Sequence, residues 1–264
     1  MIRGMKHRGV EEYVTGLRTA ANAFAGFATR AGTDAEVPTC PAWTVRKLLA
    51  HQGMVHRWAR ANLLGQDCQP PSWNAEGQQV ADPVAWFLEG AEAVIGTLQE
   101  VPDDVQADVF LKDAPAPRLF WARRQCHETT IHAVDALAAS LGRLPTAQDA
   151  DFIDPEVALD GIDELLTGFV TRGRSRFADA GPLRVEVRPT SGERVWSVDV
   201  QADGAVVTTR LQGREAHDPG GAVLRGSAPA LYLALWNRTS PDAVDDPEEI
   251  LDRVWRQRAR VRWG

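Results

Sequence analysis

Two histidines and one glutamate have the types and spacing of metal ligands. Glu128 and His132 are four residues apart in a segment with helical periodicity, so they lie about 40° apart around the helix and one turn apart along it. Both side chains can therefore reach one ion. His51, in a second predicted helix, is the best candidate for a third ligand. Two histidines and one carboxylate are the ligand set of a catalytic zinc site, which keeps one coordination position open.

The spacing also has a second interpretation. A Glu/His pair four residues apart is common on solvated helix surfaces, where it only supports the helix. The cysteines Cys40, Cys68 and Cys126 form no paired-cysteine zinc pattern that would strengthen the metal interpretation. The spacing alone leaves both possibilities open.

The first half of the chain is predicted to be helical. Helix periodicity, capping residues and glycine stops indicate four helices. They run from Val10 to Ala31, from Thr44 to near Gly65, from Asp82-Pro83 to Leu98, and from about Pro117 to Leu141. Four such helices predict an up-and-down bundle, a fold that often holds metal sites between facing helices. We expect residues 1–150 to form this domain.

The second half has a different pattern. A helix begins at Asp154-Pro155, and two more are predicted at Pro229 to Trp236 and Pro247 to about Arg260. Between them, segments of apolar alternation separated by turn sequences predict strands. These strands are Leu183 to Arg188, Val195 to Val200 and Val206 to Leu211. We expect residues 151–264 to form a small α+β domain with an antiparallel sheet.

Composition limits the partners and the location. The chain has 264 residues, 44% hydrophobic and 25% charged, which is typical of soluble globular proteins. It has no apolar run long enough to span a membrane and no apparent signal peptide, so we expect a cytoplasmic protein without a membrane partner. The net charge of -7 argues against nucleic acid as a partner. We expect a monomer or a homodimer.

Three motifs follow one another along the chain. They are Cys40-Pro41-Ala42-Trp43-Thr44-Val45 leading to His51, then Glu128, His132, Asp135 and Ala136, and finally the segment from Gly226 to Arg238. As an ordered set, these motifs resemble the maleylpyruvate isomerase family of mycothiol-dependent enzymes. The resemblance covers nearly the whole chain. It implies a DinB-like four-helix bundle at the N-terminus, followed by an α+β domain related to sterol-carrier folds.

The resemblance also implies roles for particular residues. It makes His51, Glu128 and His132 the ligands of a divalent metal, usually zinc, and makes mycothiol the cosubstrate. It places Arg238 facing the metal pocket, where a guanidinium could hold a carboxylate through two hydrogen bonds. Alternatively, Arg238 only caps the end of its helix, where a cation is favourable.

Four other side chains near the candidate ligands have alternative roles. Asp135 could orient His132 or bond to a neighbouring helix, and Arg124 could hold the Glu128 carboxylate or face solvent. His56 and His127 point away from the candidate ligands around their helices, so we expect them to have surface or packing roles.

The expected activity follows from an open metal position. A thiol bound to zinc is deprotonated and becomes a nucleophile, so the leading hypothesis is a mycothiol transferase or isomerase acting on a small electrophile. The alternatives are a metallohydrolase that uses metal-activated water, and a non-catalytic protein that binds small molecules or senses metal. Because members of the family differ in substrate, isomerisation of maleylpyruvate is not implied for this chain.

Overall fold

The chain folds into two compact units. The computed structural model describes residues 8–111, 114–172, 177, 179–212 and 220–259. The first unit comprises Met1–Phe110 and Ala114–Arg143, and the second comprises Leu111–Asp113 and Leu144–Gly264. Each unit has its own core.

The first unit is helical, as predicted. Its helices are α1 (Val10–Ala31), α2 (Val45–Leu63), α3 (Pro70–Gln79), α4 (Pro83–Glu100) and α5 (Pro117–Leu141). The four predicted helices are confirmed as α1, α2, α4 and α5. The sequence analysis missed α3, because this short helix buries only Gly77 and so has no apolar stripe to reveal it.

Capping residues set the bounds of these helices. Thr44 accepts a hydrogen bond from the backbone N–H of Lys47 at the start of α2, and Asp82 accepts one from Ala85 at the start of α4. At the end of α5, Gly142 adopts the left-handed conformation that glycine tolerates best. His51 is thereby fixed in the second turn of α2.

Helix α5 lies in the middle of the first unit. Every residue from Phe120 to Ala138 is buried, and α5 packs along α1 and against α2. A polar side chain on this part of α5 is therefore removed from water whichever way it points. Such groups need a bonding partner, because an unpaired buried polar group costs roughly 1–3 kcal/mol.

The second unit contains a four-stranded sheet. Its strands are β1 (Leu183–Pro189), β2 (Arg194–Val200), β3 (Val206–Gln212) and β4 (Ala222–Gly226), in the order β3-β2-β1-β4. The three predicted strands form antiparallel pairs, which confirms both predicted hairpins. The missed strand β4 pairs parallel with β1, so the sheet is mixed and not wholly antiparallel. β4 is short and buries only Ala222 and Leu224, which leaves little alternation in the sequence to predict it.

Helices complete the second unit. α6 (Pro155–Glu164) continues into a π-helical turn, Leu165–Phe169, and α7 (Ala228–Leu235) packs against α6. The prediction that the last helix begins at Pro247 was wrong. Asp246 accepts hydrogen bonds from the backbone N–H groups of Ile250 and Leu251, so the chain turns at residues 247–249 first.

The last helix consists of a π-helical turn, Leu251–Trp255, followed by α8 (Arg256–Arg258). Its predicted end at Arg260 lies outside the described residues. None of the helices in the described part of the chain is both long and apolar enough to cross a membrane.

Candidate metal centre

The structure brings the three predicted ligands together. One donor atom each from His51, Glu128 and His132 lies within 4.8 Å of the other two. Nε2 of His51 is 3.9 Å from Oε1 of Glu128. Two ligands of a tetrahedral zinc ion at about 2.1 Å would be roughly 3.4 Å apart, so a shift of about half an ångström would bring this pair to ligand spacing. Glu128 and His132 are buried, which excludes a solvated surface pair.

His51 is in the form that can donate a lone pair to a metal ion. Its Nε2 is buried and makes no hydrogen bond to any residue that the structure describes. The pKa of His51 is lowered to about 3, chiefly by burial and to a lesser extent by the nearby His132, whose effect outweighs the opposing effect of Asp135. The ring is therefore neutral at pH 7, the form in which imidazole binds metals.

His132 is oriented by Asp135. Nδ1 of His132 lies 2.8 Å from Oδ2 of Asp135, and Asp135 is fully buried. With its proton on Nδ1, the ring leaves the Nε2 lone pair available for an ion. A carboxylate behind a histidine ligand is a common arrangement at zinc sites, where it fixes the ring and its tautomer.

Arg124 lies beside the carboxylate of Glu128. Nε of Arg124 is 3.5 Å from Oε2 of Glu128, and both side chains are buried. The guanidinium is thus on the Oε2 side of the carboxylate, whereas Oε1 faces His51. The structure therefore favours the predicted contact of Arg124 with Glu128 over an exposed position.

Trp43 and Thr39 are further residues of this site. The Trp43 ring lies 4.9 Å from the His51 ring and 6.3 Å from the His132 ring, centroid to centroid. The Thr39 hydroxyl donates to Oδ1 of Asp135 at 2.5 Å. The sequence analysis did not find Thr39, because no spacing pattern connects residues 96 positions apart.

A buried polar network lies next to the ligands. Nε2 of Gln52 donates to Oγ1 of Thr129 and is 3.0 Å from Nε2 of His56, which itself is 2.9 Å from Thr129 Oγ1. Burial lowers the pKa of His56 to about 3, with a further contribution from the positive charge of Arg57. His56 is thus a neutral packing residue, and His127 is also fully buried, against the Tyr13 ring.

Arg238 belongs to the second unit. It follows α7, and its Nη1 donates to the carbonyl of Trp236 at 2.9 Å. This contact is what a residue at the end of a helix makes when it satisfies a terminal carbonyl. Substrate binding by Arg238 stays a prediction.

The comparisons with known proteins agree with this fold. The protein-family model described as the mycothiol maleylpyruvate isomerase N-terminal domain matches residues 14–137, and the MDMPI C-terminal domain matches residues 156–253. No curated protein shows significant sequence similarity.

Two crystal structures share the fold over nearly the whole chain. A histidine-to-alanine mutant of the mycothiol-dependent maleylpyruvate isomerase is 17% identical, with a TM-score of 0.59, and covers 91% of this chain and 93% of its own. A second crystal structure, of the mycothiol-dependent maleylpyruvate isomerase, is 16% identical, with a TM-score of 0.58 and the same coverage. The two family domains, matched in order along the chain, show that this protein belongs to the mycothiol-dependent maleylpyruvate isomerase family.

Proposed function

We propose that this protein is a mycothiol-dependent transferase or isomerase that binds a divalent metal, zinc, through His51, Glu128 and His132. The observation that carries the proposal is the convergence of three ligand atoms from α2 and α5 within 4.8 Å, in a chain whose two domains match a mycothiol enzyme family. The similar crystal structures bear the name of a mycothiol-dependent enzyme.

The residues present fit a catalytic zinc ion. His51 is neutral and directs a buried Nε2, without a hydrogen bond to any described residue, towards the Glu128 carboxylate. His132 is held by Asp135 so that its other nitrogen is free to bind. Three protein ligands of this kind leave a fourth position for a substrate atom. When bound, the ion would lower the pKa of a coordinated thiol and so supply a thiolate nucleophile.

The protein's own residues would hold and enclose this centre. Asp135 fixes the ring of His132, and Arg124 restrains the Glu128 carboxylate from the side opposite His51. Trp43 covers one side of both histidine rings. These contacts pre-organise the ligands, so little rearrangement is needed when the metal and the thiol bind.

The thiol of mycothiol would add through sulfur to an electrophilic carbon of a small substrate. Addition to a double bond followed by rotation and expulsion of the same thiol isomerises that bond, whereas retention of the new C–S bond gives a thiol conjugate. The chain's own thiols are not needed, since the sulfur that reacts comes from the cosubstrate. Arg238 would hold an acidic group of the substrate through paired hydrogen bonds.

Calorimetric titration of mycothiol tests the proposal. We expect the thiol to bind the zinc-loaded protein at least about tenfold more tightly than the chelator-treated protein, because the ion stabilises the thiolate. The disulfide of mycothiol is the matched control, since it lacks a free thiol and should show no such dependence. Equal affinity of mycothiol for both forms of the protein would contradict metal–thiolate chemistry.

A further inference from the structure

The loop before α2 has a closed shape of its own. We call residues 36–44 the ligand loop. Glu36 and Thr44 form an antiparallel bridge, the N–H of Val37 donates to the carbonyl of Trp43, and the N–H of Trp43 donates to the carbonyl of Cys40. The backbone of the ligand loop is therefore fixed by its own hydrogen bonds, directly beside the helix that carries His51.

Two side chains of the ligand loop reach the metal centre. Trp43 packs against both histidine rings. The hydroxyl of Thr39 donates to Oδ1 of Asp135 at 2.5 Å, while Oδ2 of the same carboxylate lies 2.8 Å from Nδ1 of His132. Thr39 is thus two hydrogen bonds away from the ring that would bind the metal.

We infer that Thr39 is a positioning residue of the metal centre, which acts on His132 through Asp135. This inference rests on the proposed metal-binding function. A carboxylate can turn about its last side-chain bond, and each of its oxygens accepts hydrogen bonds. By binding Oδ1, the Thr39 hydroxyl fixes this rotation and leaves Oδ2 directed at Nδ1 of His132. The imidazole is then held with its Nε2 lone pair towards His51 and Glu128.

A purely structural role for Thr39 is the competing explanation. The Thr39–Asp135 hydrogen bond joins the ligand loop to α5, so its loss would lower thermal stability under either explanation. Metal affinity and the geometry of the bound metal separate the two, because a bond that only anchors the loop has no reason to change them.

The experiment uses Thr39→Val, which removes the hydroxyl and keeps the shape, and Thr39→Ser, which keeps the hydroxyl. The matched control is Thr29→Val on α1, where the lost hydroxyl donates only to the carbonyl of Ala25 among the contacts described. Zinc affinity is measured by chelator competition, and the visible spectrum of the cobalt(II) protein reports ligand geometry. If Thr39→Val does not fold, Thr39→Ala is measured in its place.

We expect Thr39→Val to weaken zinc binding by about three- to tenfold, less than the 10–100-fold typical of a residue in direct contact with a metal ligand. The cobalt bands should change in shape or position. Thr39→Ser and Thr29→Val should stay within about twofold of the wild type, which is the scatter of such measurements.

A double-mutant cycle tests the path through Asp135. In an Asp135→Ala background, Thr39→Val should have no further effect on zinc affinity, because the group on which Thr39 acts is gone. An equal loss in both backgrounds, or unchanged affinity and spectrum in Thr39→Val, would overturn the inference while leaving the metal site intact. A wild type that binds no divalent metal would overturn the proposed function and this inference together.

Discussion

A buried carboxylate in the second unit and a pair of buried side chains in the first unit differ in how their polar atoms are bonded. In the second unit, Asp163 is fully buried and accepts hydrogen bonds from Nε1 of Trp196 at 2.9 Å and from Nε and Nη2 of Arg210 at 2.6 and 2.9 Å. Both of its oxygens are bonded by groups on the sheet, and the contact joins α6 to β2 and β3. The hydrogen bonds of this carboxylate are thus made by the protein's own side chains.

In the first unit, by contrast, two buried candidate ligand atoms lie close together without a hydrogen bond between them. Nε2 of His51 and Oε1 of Glu128 are 3.9 Å apart, too far for a hydrogen bond, while the groups behind the ligands are closely bonded. Well-held side chains whose reactive atoms converge without bonding to each other are what a binding site requires. The contrast separates buried polar groups that bond to one another from buried polar groups that are held close together without bonding, as the proposed metal site requires.

We expect the largest effect on stability from Asp163→Ala, which removes a buried carboxylate whose two oxygens are both hydrogen-bonded. This substitution leaves the buried indole N–H of Trp196 without its acceptor and should lower the free energy of unfolding by about 2–4 kcal/mol. Chemical denaturation measures the loss. The matched control is Glu156→Ala, on the same helix as Asp163, which breaks the exposed ion pair with Arg194 of β2 and should cost less than about 1 kcal/mol. If both substitutions lowered the free energy of unfolding by similar amounts, Asp163 would stabilise the fold no more than an exposed ion pair does.

The next effect concerns a buried histidine of the first unit that lies outside the candidate ligand set, His56. Its pKa is lowered, mainly by burial, from 6.5 to about 3 in the folded protein. Between pH 6.5 and about 3, this histidine therefore binds a proton in the unfolded chain but not in the folded protein. The stability associated with His56 is thus fully present above pH 6.5 and is lost as the pH falls towards 3.

Between pH 6.5 and 4.5 the metal-free wild type should lose about 2 kcal/mol more stability than His56→Gln. Urea denaturation at several pH values, with a chelator present, gives the comparison. Parallel pH profiles for the two proteins would show that His56 is not the source of the acid sensitivity.

A smaller expected effect, on turnover, decides whether Arg238 has a structural role or binds the substrate. Its hydrogen bond to the Trp236 carbonyl suits a structural role, whereas the family resemblance implies a substrate anchor. Arg238→Lys keeps the charge and loses the fork of two donors. If Arg238 anchors a carboxylate, turnover should fall about tenfold, the equivalent of one charged hydrogen bond, while melting temperature and metal content stay unchanged. Wild-type turnover in the lysine variant would show that Arg238 has a structural role and does not anchor the substrate.

Local signals predicted much of the fold. Caps and glycine stops gave the bounds of α1, α2, α4 and α5 closely, because these residues act on the backbone beside them. The elements that the sequence analysis missed, α3 and β4, bury too few apolar residues to show a period. The last helix begins later than predicted, because Asp246 bonds to the backbone N–H groups of Ile250 and Leu251 across a turn at residues 247–249.

The candidate site was predictable where the chemistry lies within one helix. Glu128, His132 and Asp135 follow one another at helical spacing, so their shared face could be derived from the sequence. The contact of Thr39 with Asp135 could not, since it depends on how the ligand loop folds back on α5. Long-range contacts of this kind leave no periodic trace in a single sequence.

Metal analysis of the purified protein tests the central claim most directly. The wild type should hold about one divalent ion per chain, as expected for three ligands with one open position. His51→Ala and His132→Ala should each retain less than about a tenth of that amount, because two ligands cannot hold a labile ion through purification. His56→Gln, which changes a buried histidine outside the ligand set, should retain the wild-type amount. Full retention of metal in both alanine variants would contradict the assignment of His51 and His132 as ligands.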